Sequence, residues 1–458
     1  MSETLPKPPR HLMPVLYTGV FMAALDTAVI APALPVLRET FHLDHRASGL
    51  VMVVFILFSL CSTALLANLG DRHGRRPVFL ASVSLFALGS LVIALAPDFT
   101  TLLVGRAIQG IGGGGIIPTA SAVIGDALPQ PQRGRALGLV GAIYGMAFVL
   151  GPPLAALLML AFSWQAIFLI NLPIAALILA IGARALPAVK REGMLPPLDW
   201  AGIALVFALI SALVLGITRV ADGLAGATIW PELLAAAVLL LPVLLQVERR
   251  AAMPMIPMAL FRRRQLAVTY LLTAGAGFGM GSVIFLATIA TLAYGVDRAH
   301  AGFVLLPMVL ASMLGSMGAG RLLNRLGPRT IVLWGFGLMA VGYAGTAFLH
   351  LGLAGYLVIT VPVGLGVGIV VGGALRSIAI DEAPLAQRGA AQGLVNIFTS
   401  IGTLLSATVV GALADFAGGG APGLSTAYGC VAGLMLAMGL ATLALRKDGT
   451  QPEAVPAA

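Results

Sequence analysis

The sequence predicts an all-α polytopic membrane protein made of two six-helix bundles and two inserted helices. Three observations predict this fold. Hydrophobic residues make up 59% of the 458-residue chain and charged residues only 10%, the apolar residues form long runs, and the chain repeats itself at long range. Soluble domains carry about 25% charged residues. The composition therefore excludes a soluble globular domain, a disordered chain and a disulfide-stapled secreted domain.

Fourteen apolar runs are long enough to cross a bilayer, because a transmembrane helix needs about 20 mostly apolar residues. The predicted spans are 13–37, 48–69, 78–96, 100–125, 136–160, 166–186, 198–218, 230–247, 266–292, 299–320, 330–350, 354–376, 390–414 and 424–445. The connectors between them are short. The predicted organisation is a tail (1–12), a first six-helix bundle (13–186), a linker region with inserted helices 7 and 8 (187–265), a second bundle (266–446) and a second tail (447–458).

The basic residues lie mainly on one side of the predicted membrane. With the N-terminus in the cytoplasm, all but five of the 27 basic residues fall in cytoplasmic segments. The positive-inside rule then places both termini in the cytoplasm. We expect the chain to lie in the plasma (inner) membrane. The net charge of +9 therefore records topology and gives no reason to expect a nucleic-acid partner.

Two segments of the chain recur at nearly the same separation. QRGRALGLV at 132–140 matches QRGAAQGLV at 387–395, and DRHGRR at 71–76 matches NRLGPR at 324–329. Two matches at similar offsets indicate a duplicated six-helix unit, with helices 7 and 8 inserted between the copies. Parallel six-helix halves with a site between them near the midplane are a common plan of secondary transporters.

Two charged residues lie inside predicted spans and far from either end, Asp26 in the first span and Arg106 in the fourth. A charge at the bilayer centre costs about 2.5–3.5 kcal/mol on insertion scales, so such residues usually face a cavity or a partner. Because the proton affinity of a carboxylate differs between water and a closed cavity, Asp26 is the candidate proton carrier. Arg106 would stay charged and modulate Asp26 or contact substrate. The alternative is a structural buried pair.

The loop between the second and third spans packs several charges into a very short cytoplasmic turn. A carboxylate there can face the positive N-terminus of another helix, and a glycine permits a positive φ. Topogenic charge alone would need only the arginines. In the second half Asn324 replaces the acid, which predicts a weaker contact. We therefore expect a conformational latch formed by Asp71, Arg72, Gly74, Arg75, Arg76 and, at the end of the fourth span, Asp126.

The fifth span is rich in glycine and proline. Small residues at four-residue spacing let helices approach closely, which predicts a helix-packing surface with a bend near residue 152. Its candidate residues are Gly138, Gly141, Gly145, Gly151 and Pro152.

A midplane substrate pocket should be mostly apolar with a few polar groups. The polar candidates are Gln109, Tyr144, Asn396 and Thr399, although each residue type also serves in helix packing. The second half has no mid-span carboxylate, which favours neutral, zwitterionic or singly charged amphiphiles as substrates. The two cysteines, in separate spans, indicate neither a disulfide nor a metal site.

These motifs together resemble those of the major facilitator superfamily. Residues 67–76 resemble its signature loop, with Ala67 where the family usually has Gly, and residues 102–114 resemble its helix 4 motif, whose Arg is tied to proton transfer. LDTAVIAPALP in the first span, residues 163–173 and residues 248–264 resemble the fourteen-helix drug:proton antiporter branch. The fifth span is similar to the antiporter motif of exporters, with alanines at three of its usual glycine positions.

The resemblance covers essentially the whole chain and implies a proton-coupled exporter of small amphiphilic compounds that works by alternating access, in multidrug efflux. It implies no cofactor and no metal. We expect a small-molecule substrate, protons and the lipid bilayer as partners, and a monomer. The alternative is a facilitator for a specific metabolite or lipid, with Asp26 structural or substrate-binding. An intramembrane enzyme is disfavoured because the spans hold no Ser/His dyad, metal-ligand cluster or nucleotide motif.

Overall fold

A computed structural model describes residues 9–43, 45–187, 200–223, 230–250, 257–296, 301–348 and 352–446, and none of these residues lies in a strand. Apolar runs form helices because a helix pairs its backbone polar groups within one segment. The helices are α1 (Leu12–Thr40), α2 (His45–His73), α3 (Arg75–Ala94), α4 (Phe99–Ala127), α5 (Gln130–Ala161), α6 (Ala166–Leu169), α7 (Asn171–Ala185), α8 (Trp200–Gly223), α9 (Trp230–Arg250), α10 (Met258–Arg262), α11 (Arg264–Ser282), α12 (Ile284–Tyr294), α13 (Leu306–Phe348), α14 (Leu353–Ile369), α15 (Leu375–Glu382), α16 (Arg388–Phe416) and α17 (Gly420–Ala441).

Within the described ranges, twelve helical segments are long and apolar enough to cross a membrane. The prediction of an all-α multi-pass chain is therefore confirmed at this level. Two further helices, α5 and α8, lie where the fifth and seventh spans were predicted. Fourteen crossings, and the side on which the termini lie, stay predictions.

Residue contacts divide the chain into two compact units. The first unit comprises Met1–Ala127, Ile143–Met258 and Gln392–Ile397, and the second comprises Leu128–Ala142, Ala259–Ala391 and Phe398–Ala458. The beginning of α5 thus belongs to the second unit and part of α16 to the first. The predicted bundle boundaries, 13–186 and 266–446, stay predictions.

The internal repeat is visible in the backbone at two glycines. Gly74 precedes α3 with φ 97° and ψ 155°, and Gly327 interrupts α13 with φ 75° and ψ 155°. Residues with a Cβ rarely adopt such positive φ values, so glycine is needed at both turns. The turn between the second and third predicted spans therefore recurs, 253 residues later, between the tenth and the eleventh.

Helix α4 packs closely between α2 and α3 through its run of glycines. A Cβ at Gly112 would lie 2.4 Å from the backbone nitrogen of Phe86 in α3, and a Cβ at Gly114 would lie 2.2 Å from the carbonyl oxygen of Ser59 in α2. Only glycine allows so close an approach. This packing fixes the position of α4 in the first unit. It therefore also fixes the position of the side chains on α4.

The start of α4 is fixed by a side-chain cap. Asp98 Oδ1 accepts the backbone N–H of Thr101 at 2.8 Å, which pairs one of the free N–H groups at a helix N-terminus. That hydrogen bond lowers the pKa of the Asp98 carboxyl. The cap and the close packing of the glycines together set where along α4 the functional residues lie.

Candidate functional site

Five polar side chains form a buried network in the first unit. Asp26 belongs to α1, Ser90 to α3, Arg106 and Gln109 to α4, and Asn171 to α7. Each residue is at most 1% exposed. Burying charged and amide groups is unfavourable unless they are paired, so the hydrogen bonds among these side chains decide whether the site is stable.

Three N–H groups meet the carboxylate of Asp26. Arg106 Nη1 donates to Oδ2 at 2.9 Å, while Gln109 Nε2 and Asn171 Nδ2 donate to Oδ1 at 2.7 Å and 3.1 Å. Hydrogen bonds and an adjacent cation both favour the charged form of a carboxylate. The structure thus places the two mid-span charges predicted from the sequence in direct contact.

The guanidinium of Arg106 has partners on its other sides as well. Its Nε donates to the carbonyl oxygen of Val51 in α2 at 3.0 Å, and its Nη1 donates to Gln109 Oε1 at 2.6 Å. Its Cζ lies 4.3 Å from the ring centroid of Phe55, a cation–π geometry. The buried positive charge is therefore balanced by one carboxylate, two amide-type oxygens and an aromatic face.

Ser90 and Asn171 complete the network and were not predicted from the sequence. Ser90 Oγ accepts from Gln109 Nε2 at 2.8 Å and from Asn171 Nδ2 at 3.2 Å. The Oδ1 atom of Asn171 has no hydrogen-bond partner among the described residues. The signal available for Asn171 was an amide side chain within the otherwise apolar run 166–173.

The four predicted pocket residues have different surroundings. Gln109 lies in the network and is fully buried. Tyr144 packs against an apolar cluster of the first unit, and Asn396 and Thr399 are half-buried on α16. A pocket formed by these residues stays a prediction.

Arg75 lies between two carboxylates at the predicted latch. Its Nη2 pairs with Asp71, which lies four residues earlier at the end of α2. Its Nε lies 3.3 Å from Asp126 Oδ2. The side chains of Arg75 and Asp71 are 10% and 5% exposed, whereas that of Asp126 is 38% exposed, so water screens the Asp71 pair less than the Asp126 pair. The positive φ of Gly74 turns the chain so that Arg75 starts the next helix beside Asp71. The structure thus brings four of the six predicted latch residues together.

The other two arginines of the loop are placed differently. Nε and Nη1 of Arg72 are buried without a hydrogen-bond partner among the described residues, and Arg76 is half-buried. A role of this loop as a latch between conformations stays a prediction.

Glycines in the first part of α5, which belongs to the second unit, lie against other helices of the same unit. A Cβ at Gly138 would lie 2.8 Å from the carbonyl oxygen of Ser316, and a Cβ at Gly141 would lie 2.2 Å from Gly372 Cα. Ser316 Oγ also donates to the carbonyl oxygen of Gly138 at 2.6 Å. These small residues therefore act in close helix packing, as their spacing indicates.

The later part of α5 packs within the first unit. A Cβ at Gly151 would lie 2.5 Å from the Cβ of Ala28 in α1. Gly145 is half-buried, and the Pro152 side chain lies outside the described part of the chain. The helix runs from Gln130 to Ala161 without interruption.

Within the part of the chain that the structure describes, no group of three or more His, Cys, Asp or Glu side chains could hold a metal ion. Cys61 is buried and Cys430 is exposed, and both are free thiols. The polar chemistry described here is therefore that of ion pairs and amides. The expectation that the protein needs no cofactor stays a prediction.

Apolar helices long enough to span a membrane, a repeated half and an ion pair buried among them define a polytopic membrane transporter. The model of the Major Facilitator Superfamily matches residues 16–407 and, in a second match, residues 270–458. The chain belongs to this superfamily and is a membrane transport protein.

Three comparisons agree with this assignment. The chain is 34% identical over 427 residues to YfiU of Bacillus subtilis (strain 168), an uncharacterised MFS-type transporter, with 89% of this chain and 81% of YfiU covered. It is 28% identical over 409 residues to the multidrug transporter protein MdtP of the same organism, with 87% of this chain and 74% of MdtP covered. The crystal structure of the human organic anion transporter MFSD10 has the same fold, with a TM-score of 0.71, 18% identity and coverage of 95% of this chain and 100% of that one.

Proposed function

We propose that this chain is a proton-coupled exporter of small amphiphilic compounds, a multidrug efflux antiporter of the fourteen-helix branch. It would work in the inner membrane as a monomer, with both termini in the cytoplasm and with the proton gradient as its only energy source. The observation that carries the proposal is the network around Asp26, a carboxylate 1% exposed and paired with Arg106. MdtP, which bears the name of a multidrug transporter, supports the substrate class.

The network has a place for an added proton. Protonation turns one oxygen of Asp26 from an acceptor into a donor. Asn171 already contacts Asp26 through Nδ2, and its Oδ1 has no partner among the described residues. Turning the amide over would present that oxygen to the new O–H group. The neutral form of Asp26 could then be accommodated without leaving the added donor unpaired.

Arg106 supplies the reason for coupling. Once Asp26 is neutral, the guanidinium loses the one carboxylate that pairs with it among the described residues, and breaking a buried pair from one side costs about 3–5 kcal/mol. Movement of Arg106 towards water, or of an anionic group towards Arg106, would recover this free energy. Proton binding would thereby favour a conformation that opens the network.

The second candidate is a facilitator for a specific metabolite or lipid in which Asp26 is structural. The observation that favours it is that Asp26 accepts three hydrogen bonds in a fully buried site. Such an arrangement could serve only to hold α1, α4 and α7 together.

The substrate class can be tested first by a growth-inhibition panel. A host deleted for its main exporters would express the chain or carry an empty vector, and the panel would contain neutral, zwitterionic, monocationic and dicationic amphiphiles. We expect the chain to raise the inhibitory concentration of several chemically unrelated compounds. Protection against a single compound would favour the facilitator instead.

Proton coupling is tested with Asp26→Asn in proteoliposomes, using a compound found in the panel. We expect wild type to accumulate the compound against its gradient when a ΔpH is imposed. Asp26→Asn should still equilibrate it downhill but lose the accumulation. Asp98→Asn is the matched control, because it removes an exposed acid while asparagine keeps a side-chain oxygen for the helix cap, and it should behave as wild type. Equal ΔpH-driven accumulation by Asp26→Asn and wild type would show that Asp26 is not the proton carrier.

A further inference from the structure

The α-helical hydrogen bonding of the first helix of the second half is interrupted at Val283, between α11 and α12. The N–H of Val283 donates to the carbonyl oxygen of Met280 at 3.3 Å, and the N–H of Leu286 donates to that of Val283 at 3.0 Å. Both bonds span three residues, whereas those of an α-helix span four. The oxygens that a straight helix would use for these two donors are those of Gly279 and Ser282. The interruption releases both oxygens from these donors.

Two tyrosines from other helices donate to the released oxygens. Tyr343 Oη of α13 donates to the Gly279 oxygen at 2.5 Å, and Tyr428 Oη of α17 donates to the Ser282 oxygen at 2.7 Å. The two tyrosine rings stack, with centroids 5.4 Å apart and an angle of 14° between their planes. A buried carbonyl without a donor costs about 1–3 kcal/mol. The two hydroxyls therefore stabilise the interrupted form.

A third tyrosine makes the same kind of bond in a different context. Tyr356 Oη of α14 donates to the carbonyl oxygen of Leu286 at 2.7 Å. That oxygen lies inside α12, where Ala290, four residues later, is its regular helical donor. The hydroxyl of Tyr356 adds a bond there but replaces no missing donor.

We propose that Tyr343 and Tyr428 are positioning residues that hold α12 at an angle to α11, and that this bend is a two-state element. In a straight helix the N–H groups of Val283 and Leu286 would take the oxygens that the tyrosines now occupy. In the interrupted form the hydroxyls take the place of the helix's own amides at these two acceptors. Both carbonyls stay paired in either form, so α12 can change direction without the full cost of an unpaired carbonyl.

The internal repeat connects this contact with the polar network of the first half. At the offset of 253 residues that relates Gly74 to Gly327, Tyr343 corresponds to Ser90, and Gly279 corresponds to Asp26. The same two positions therefore carry a charged network in one half and an uncharged hydroxyl–carbonyl bond in the other. The inference goes beyond the proposed function, because it needs neither a proton nor an identified substrate.

The angle of α12 can be measured between spin labels in the full-length chain by double electron–electron resonance. The background is Cys61→Ala with Cys430→Ser. A hinge pair is labelled at Leu292 and Leu436, and a reference pair at Leu271 and Leu436. These three leucines are 54%, 58% and 53% exposed, so labels there should be tolerated. The hinge pair reports on α12 and the reference pair on α11, both against α17.

Removing the hydroxyls is expected to move only the hinge pair. Tyr343→Phe with Tyr428→Phe keeps both rings and their stacking but removes the donors, so the distance distribution of the hinge pair should shift or broaden. The reference pair should stay unchanged and so show that the fold is intact. The single variants Tyr343→Phe and Tyr428→Phe each remove one of the two hydroxyls and are measured in the same way. Tyr356→Phe is the matched control and should leave both pairs as in wild type.

A proline should restore the bend without the tyrosines. Val283 has φ −57°, which proline adopts readily. Proline at this position lacks the competing N–H and clashes with the carbonyl four residues earlier, that of Gly279. Val283→Pro in the double Phe variant should return the hinge pair to the wild-type distribution. An unchanged hinge pair in the folded double Phe variant, or an equal shift with Tyr356→Phe, would overturn the proposal.

Discussion

Arg133 Nη1 donates to Asp381 Oδ1 at 2.9 Å, and this ion pair ties the first turn of α5 to the last turn of α15 within the second unit. Arg133 Nε also donates to the carbonyl oxygen of Leu128 at 2.8 Å, and Arg263 Nη1 donates to that of Glu382 at 2.7 Å. A carboxylate near a helix C-terminus is unfavourably placed in the helix dipole. Two arginines offset that cost at the end of α15.

The Arg133–Asp381 pair should contribute to stability through direct coupling. Arg133→Gln and Asp381→Asn should each lower the thermal unfolding midpoint in detergent, because the partners are only 13% and 28% exposed. A double-mutant cycle should give a coupling of about 1 kcal/mol, within the range for contacting residues. Arg135→Gln, at an exposed arginine two residues later, should have little effect. A coupling near zero would mean that water screens the pair.

The Asp26 network predicts an order of stability losses. Arg106→Met leaves a buried carboxylate without its cation and should cost about 3–5 kcal/mol. Asn171→Ala removes one of three donors to Asp26 and should cost about 1–3 kcal/mol. Denaturant unfolding in detergent, followed by tryptophan fluorescence, measures both. Adding Asp26→Asn to Arg106→Met should recover part of the loss, and a larger loss in the double variant would contradict the charge argument.

The close packing of the first part of α5 within the second unit predicts that adding one methyl group at Gly141 is not tolerated. Gly141→Ala places a Cβ 2.2 Å from Gly372 Cα and 2.4 Å from Ser316 Oγ, so backbone must shift, at about 1–3 kcal/mol. A lower melting temperature should show this. Gly318→Ala is the matched control, because a Cβ there meets nothing within 4 Å and alanine favours a helix. Equal stability of the two variants would refute the packing.

The two glycine turns predict equivalent costs in the two halves. Gly74→Ala and Gly327→Ala force a Cβ into backbone with φ 97° and 75°, which should cost about 1–3 kcal/mol each. Gly337→Ala, in the regular part of α13 with nothing within 4 Å, should be neutral or stabilising. Thermal melting measures all three variants. A stable Gly327→Ala would mean that the second turn can relax.

The Asp26–Arg106 pair could be singled out from the sequence because charges are rare at membrane depth. Ser90 and Asn171 could not, because hydroxyls and amides occur throughout spans and often bond within their own helix. Ser90 bonds to other helices and also within its own helix, because its Oγ donates to the carbonyl oxygen of Phe86 at 2.9 Å. Only the packing of α7 against α1, and of α3 against α4 and α7, shows which neutral side chains join the network around the acid.

The interruption of the helical hydrogen bonds at Val283 could not be predicted either. Residues 266–292 read as one apolar run without proline, so the sequence predicts a single continuous span. The donors that stabilise the interruption lie 64 and 146 residues further along the chain, at Tyr343 and Tyr428. Local sequence governs the propensity for helix, whereas the choice between the interrupted and the continuous form depends on these distant hydroxyls.

The order of residues along the chain gives the Arg106 contacts a consequence for biosynthesis. The carboxylate of Asp26, the carbonyl of Val51 and the hydroxyl of Ser90 are all made before Arg106 emerges from the ribosome. Synthesis proceeds from the N-terminus, so a counter-charge is already available when α4 enters the bilayer. Arg106 can then enter the bilayer by pairing with helices that are already there. It does not have to enter the lipid as an unpaired charge.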